Sequence, residues 1–294
     1  MPAEGLKHGF CEPNGVRIHY VEQGQGPLVV LLHGFPEFWY SWRKQIPALA
    51  RRFHVVAADM RGFNESAKPE GVESYAIEHL VGDVRGLIRF FGRERAVVVG
   101  HDWGGIVAWA FAMLHPEATE RLIACNAPHV GAFAGLTPEE RLRQLQMSWY
   151  MFFFQMREVP ERFLAAGDWA FLDLAFRTVK PGRITAEDMA EYKKAIARPG
   201  ALAAGINYYR ANIRPELLLG LDEIAAAVKV TRPTLLIWGE EDPFLSRPLA
   251  ERTGDFVDAP YAARFIPGCG HWVQSEEPEL VTFCMLDFLS DLSG

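Results

Sequence analysis

The stretch Val97-Val-Val-Gly-His-Asp-Trp-Gly-Gly105 decides the architecture. A run of β-branched residues reads as a strand buried on both faces. It ends on Gly-x-Asp-x-Gly, and an apolar helical run over 105–115 follows directly. Strand, tight turn and helix in that order form an elbow that lifts the apical residue, Asp102, clear of the backbone as a nucleophile. Gly100 and Gly104 suit a turn so tight that side chains there would collide with neighbouring backbone. The carboxylate would sit at a helix N-terminus, where the dipole favours its ionised form. Aspartate is also a common helix cap. Against a cap alone stand the strand, both glycines and the partner residues described below.

Outward from the elbow, strand and helix alternate. Strands are predicted over 16–23 and 28–32, separated by Gln23-Gly-Gln-Gly-Pro27, then over 54–58, 96–99 and 121–126. Helices are predicted over 42–50 and over 77–91, where Ile77, Leu80, Val81, Val84, Leu87, Ile88 and Phe91 share one side. This alternation predicts an α/β fold built on a mostly parallel, doubly wound sheet. After Pro128 the strand runs stop, and charged helical segments occupy 138–154, 186–196 and 202–213. Strands resume over 234–238 and 264–267, and an amphipathic helix over 278–292 closes the chain. The expected organisation is a core over 1–131 and 216–294, with a helical lid, or cap, inserted over 132–215.

Composition narrows the function classes. The 294 residues carry 30 basic and 37 acidic side chains, a net charge of −7, without any Lys/Arg-rich run. Nucleic acid is therefore not an expected partner. The longest apolar stretch is interrupted by His101 and Asp102, and the first ten residues lack the apolar segment of a signal peptide. No membrane partner is expected. Cys11, Cys125, Cys269 and Cys284 show no paired spacing, which suits buried thiols in a reducing, cytoplasmic compartment. No metal cluster or nucleotide motif is visible, so no cofactor beyond water is expected, and a homo-oligomer is compatible with the chain.

An aspartate nucleophile selects an electrophile. A serine attacking a saturated carbon would form an ether, which water does not readily cleave. A carboxylate attacking the same carbon forms an ester, whose carbonyl is open to water. The elbow thus points to an epoxide carbon or a carbon bearing halide. Gly268-Cys-Gly-His-Trp272 offers His271 as the base, and Leu236-Ile-Trp-Gly-Glu-Glu-Asp242 offers an acid to orient it, in the chain order nucleophile, acid, base. Glu240 and Glu241 rival Asp242, which is preferred because Pro243 stiffens the loop after it. His33-Gly-Phe-Pro36 follows a strand at the same sheet edge, so the Phe35 and Trp103 N–H groups are candidates for an oxyanion hole. Pro36 is a candidate for a cis peptide bond. His101 is read as packing or hydrogen-bonding within the turn.

With these residues assembled, the chain resembles the epoxide hydrolase branch of the α/β-hydrolase fold family. The resemblance runs through His33-Gly-Phe-Pro36, Asp59-Met-Arg-Gly62, Gly100-His-Asp-Trp-Gly-Gly105, Gly239-x-x-Asp242 and Cys269-Gly-His-Trp272. It implies that two lid segments, Trp149-Tyr-Met-Phe-Phe-Phe-Gln155 and Ile206-Asn-Tyr-Tyr-Arg210, supply tyrosines. These fall on Tyr150 and Tyr209, with Tyr208 a rival set aside on resemblance alone. Opening an epoxide leaves an alkoxide, and a phenol can protonate it. The pocket is expected to be walled by Trp149, Phe35 and Pro36 and to take an apolar small-molecule epoxide, released as a vicinal diol. Arg61 is read as structural. Asn126 stands where some relatives place the acid, and its amide cannot serve as that anion.

The same Asp102, His271 and Asp242 would serve a haloalkane or haloacid dehalogenase. Haloalkane dehalogenases use N–H donors around the leaving halide, for which Trp103 with Trp149 or Trp169 are candidates. They often carry asparagine where this chain has Phe35. Fluoroacetate dehalogenases resemble the pattern with arginines where this chain has Trp103 and Ile106, so haloacid chemistry is disfavoured. A ligand receptor without turnover is the reading from another class, and the complete set of nucleophile, acid, base and tyrosines argues against it.

Overall fold

Strands of five to seven residues, most of them runs rich in Val, Leu, Ile and Ala, form the sheet at the centre of the computed structural model, which describes residues 5–213 and 228–292. The strands are β1 (Lys7–Cys11), β2 (Ile18–Gln23), β3 (Leu28–Leu32), β4 (His54–Ala58), β5 (Ala96–His101), β6 (Thr119–Cys125), β7 (Thr234–Gly239) and β8 (Tyr261–Ile266). They form one eight-stranded sheet in the order β1-β2-β4-β3-β5-β6-β7-β8. Pairings of β1 with β2 and of β2 with β4 are antiparallel, and the others are parallel. Strands β3, β5 and β7 are buried along their whole length, as a sheet covered on both faces requires.

The helices are α1 (Ile46–Leu49), α2 (Ile77–Phe90), α3 (Trp103–Leu114), α4 (Pro138–Met147), α5 (Trp149–Phe153), α6 (Val159–Ala175), α7 (Ala186–Ile196), α8 (Ala201–Asn212), α9 (Arg247–Thr253), α10 (Val273–Glu276) and α11 (Pro278–Phe288). One apolar cluster on each side of the sheet fills the core. The cluster on one side continues into α4–α8, so Phe35 and Trp103 share it with Met151, Phe154 and Tyr209. Between β6 and β7, over the stretch read as a lid, the described chain forms helices and no strand. The lid's expected end at 215 lies outside the described residues.

Several elements differ from expectation. Strand β1 lacks an apolar run; it exists because it pairs along β2 as an edge, with Lys7 and His8 exposed. The predicted helix over 42–50 shrinks to the single turn α1, because Pro47 has no N–H and must lie in a first turn. Proline likewise opens α4, where Thr137 and Glu140 close a capping box. The predicted helix over 138–154 breaks at Ser148 (φ −102°, ψ 20°), whose hydroxyl is held by the core. Helix α6 escaped the sequence pattern because left-handed residues at Gly167–Trp169 interrupt its period.

Candidate active site

The parallel strands all end at one edge of the sheet, and the loops that leave them there carry the site. Asp102 sits between β5 and α3 with φ +51°, ψ −121°, a backbone conformation non-glycine residues seldom adopt. Only glycine serves on either side. A Cβ on Gly100 would lie 2.1 Å from the Gly104 carbonyl oxygen, and one on Gly104 would lie 2.2 Å from that of Leu32. The resulting side chain keeps 15% of its surface exposed, and its Oδ1 accepts the Phe35 N–H at 2.8 Å. The Phe35–Pro36 peptide is cis. Behind it, His33 Nε2 accepts the Met60 N–H at 3.0 Å, so Nδ1 holds the proton and donates to the Gly34 carbonyl at 2.8 Å. The Trp103 amide opens α3 beside the carboxylate, but among the described residues it makes no hydrogen bond to Asp102.

His271 lies on the loop after β8. Its Nε2 is 3.6 Å from Asp102 Oδ2, and its Nδ1 donates to Asp242 Oδ2 at 2.7 Å. Asp242 accepts three further hydrogen bonds: the Phe244 and Leu245 N–H groups on Oδ1 at 2.7 and 3.0 Å, and the Asn126 amide on Oδ2 at 2.7 Å. The rival acids point elsewhere, since Glu240 pairs with Arg247 and Glu241 is exposed. Burial opposes a charge on His271, yet the Asp242 and Asp102 carboxylates outweigh it and raise the imidazole to about 10. Burial likewise opposes charge on Asp102, and the hydrogen bond and charge of His271, with His101 and the Phe35 N–H, hold it below the usual carboxylate range. The resting site is an imidazolium between two carboxylates.

Both lid tyrosines reach this constellation. The Tyr209 ring meets Trp103 edge-on at 5.0 Å, Phe35 at 5.9 Å and Tyr150 at 5.9 Å. Burial first, and then the Asp102 charge, push both phenols well above their ordinary range, so they stay protonated. Tyr208 turns the other way and donates to the Arg61 carbonyl at 2.8 Å. Arg61 itself is locked to Asp83 by bonds of 2.6 Å from Nε and from Nη2. Trp149 is not a pocket wall: it is 62% exposed and rests on Phe153, because the rotation of about 100° between neighbours on α5 sends Tyr150 inward and Trp149 out.

One acid was missed in the sequence. Glu37, directly after the cis proline, accepts from His101 Nδ1 at 2.8 Å, while His101 Nε2 donates to the His271 carbonyl at 2.9 Å. Gln274 Nε2 donates to both Glu37 oxygens at 3.2 Å. His101 thus ties the nucleophile strand to the backbone of the base. Its partners His101 and Gln274 lie 64 and 237 residues away, so no local signal in the sequence marked the pairing. Among the described residues no group of three or more His, Cys, Asp or Glu is arranged to hold a metal ion.

Comparison with known proteins matches residues 27–278 to the family model described as alpha/beta hydrolase fold. The AB hydrolase superfamily protein YfhM of Bacillus subtilis is 41% identical over 98% of this chain and 99% of its own. Epoxide hydrolase 2 of Caenorhabditis elegans is 36% identical over 97% of this chain and 80% of its own. Among solved structures, an inhibitor complex of Bacillus megaterium epoxide hydrolase superposes with a TM-score of 0.86 at 32% identity, covering 96% of this chain and 100% of that one.

Proposed function

The chain belongs to the α/β-hydrolase fold family, in the branch that contains the epoxide hydrolases, and from that we propose that it is an epoxide hydrolase working through an ester on Asp102. Oδ1 is committed to the Phe35 N–H, so Oδ2 attacks an epoxide carbon. The carbon–oxygen bond of the ring breaks, and its electrons go to the ring oxygen, which takes a proton from Tyr150 or Tyr209. Asp102 loses its charge in the ester, which removes one of the two carboxylates that hold His271 protonated. The imidazole can then release its proton to solvent, from which the tyrosinate regains one, and the neutral imidazole takes a proton from water, whose oxygen attacks the Asp102 carbonyl carbon. The oxyanion forms on Oδ1, where the Phe35 N–H already points; one such donor is typically worth about 3–4 kcal/mol. Collapse expels the diol alkoxide, which recovers a proton from His271; the Asp102 acid, now holding an oxygen from water, returns its proton to the imidazole and restores the resting site.

The observation that carries this reading is a carboxylate facing a histidine and two phenols at once, Tyr209 buried and Tyr150 half-buried. Among the described residues no lysine or arginine is bonded to Asp102, and Phe35, Trp103, Phe154 and Phe244 surround the tyrosines, which suits a neutral, apolar epoxide. Exposure of Trp149 removes one of the second halide donors a dehalogenase would use. Among the described residues no helix is long and apolar enough to cross a membrane, and a cytoplasmic location is part of the proposal. The test is mass spectrometry of His271→Gln after incubation with an epoxide panel. A persistent adduct on the Asp102 peptide is expected. Halide release from bromoalkanes without diol from epoxides would replace the reading with a dehalogenase, and no adduct with either class would remove it.

A further inference from the structure

Behind the triad lies a buried polar contact between lid and core that the chemistry above does not use. Gln144, on α4, is 3% exposed. Its two amide hydrogens go to the Phe244 carbonyl at 2.9 Å and the Ser148 hydroxyl at 2.7 Å, and its Oε1 accepts the Ser246 N–H at 2.8 Å. The Ser148 hydroxyl donates in turn to the same Phe244 carbonyl at 3.1 Å. Phe244 and Ser246 belong to the loop whose Phe244 and Leu245 N–H groups hold Asp242 Oδ1. Ser148 is the joint at which α4 ends and α5, carrying Tyr150, begins. The acid grips this loop from one side and the lid grips it from the other.

We propose that Gln144 and Ser148 are positioning residues that set Tyr150 in register with the Asp242 loop, so that seating the lid and ordering the acid are one event. The proposal rests on the reading of Tyr150 as a proton donor. A nearby link, Arg252 to Glu140, also joins α4 to the core, but it is a half-exposed ion pair on a long side chain. Such pairs constrain register weakly. A buried amide with both hydrogens and its oxygen engaged accepts one geometry only, and any slip leaves buried groups unpaired. A phenol displaced by about an ångström loses up to 10²-fold of its effect.

The test measures single-turnover alkylation by styrene oxide in the His271→Gln background, where ester accumulates. Gln144→Met should slow alkylation about tenfold and Ser148→Ala about threefold, while Ser148→Thr, which keeps the hydroxyl, retains the rate. With Tyr150→Phe already present, neither Gln144→Met nor Ser148→Ala should slow it further. Equal slowing in both backgrounds, or a lowered melting temperature with unchanged rate, overturns the proposal and leaves the epoxide reading standing. If Tyr150→Phe itself has no effect, the proposal falls with the role of Tyr150. If styrene oxide leaves no ester on Asp102, both fall.

Discussion

The elbow edge of the sheet and the helices between β6 and β7 supply the candidate site by opposite means. At the elbow, each functional group follows a strand by one to a few residues, and the strand fixes it. Asp102 follows β5, Phe35 follows β3, Asp242 follows β7 and His271 follows β8. In the lid, Tyr150 and Tyr209 come from helices nearly sixty residues apart in sequence, and tertiary contacts alone bring their rings to 5.9 Å. A sheet edge therefore writes its chemistry into short motifs, whereas a lid writes it into packing. The division also separates the two halves of the proposed reaction: core groups make and break the ester, and lid groups receive the alkoxide.

The largest expected effect lies on the core side. Asp102→Ala should reduce diol formation by roughly 10⁴-fold or more, because no other group can form the ester. Chiral chromatography of product from a fixed epoxide panel measures it, and residual turnover within tenfold of the parent would break the division. On the lid side, Tyr150→Phe with Tyr209→Phe should slow ester formation roughly 10²–10⁴-fold. Stopped-flow fluorescence resolves the two steps, and the ester already formed should hydrolyse at an unchanged rate. If both steps slow together, lid and core do not divide the labour.

How legible each half was in the sequence follows from the same contrast. Gly-x-Asp-x-Gly after a β-branched run left little freedom, since Cβ atoms on either glycine would strike backbone. The loop geometry that turns Asp242, rather than Glu240 or Glu241, toward His271 is not written in spacing; it arises from N–H donors at Phe244 and Leu245. Glu37 and Gln274 meet across 237 residues of sequence and left no local signal. In the lid, a serine that donates into the core broke one helix, and left-handed residues disguised another. Trp149 looked like a pocket residue because it adjoins Tyr150, yet neighbours on a helix face different ways.

A pH experiment sharpens the contrast further. Asp102 is held below the usual carboxylate range and the phenols above theirs, so ester formation should be flat across neutral pH. In the proposed mechanism ester hydrolysis needs neutral His271, whose imidazole the two carboxylates raise to about 10. With Asp102 esterified that value must fall, so hydrolysis should rise with pH, by up to about tenfold per unit, and level off below 10. Single-turnover rates across a buffer series check both limbs. The smallest effect is reserved for Trp149→Ser, which should leave both rate constants within about twofold, because single exposed positions away from a site rarely matter. A large loss there would return Trp149 to the pocket wall.

The central claim is that the carboxylate of Asp102 becomes covalently bonded to the substrate and that water then attacks that carboxylate. One turnover with excess enzyme in water enriched in heavy oxygen tests it directly, with mass spectrometry of both diol and peptide. The account predicts the label in the side chain at position 102 and none in the diol from that first turnover. Label in the diol, with none in Asp102, would contradict it.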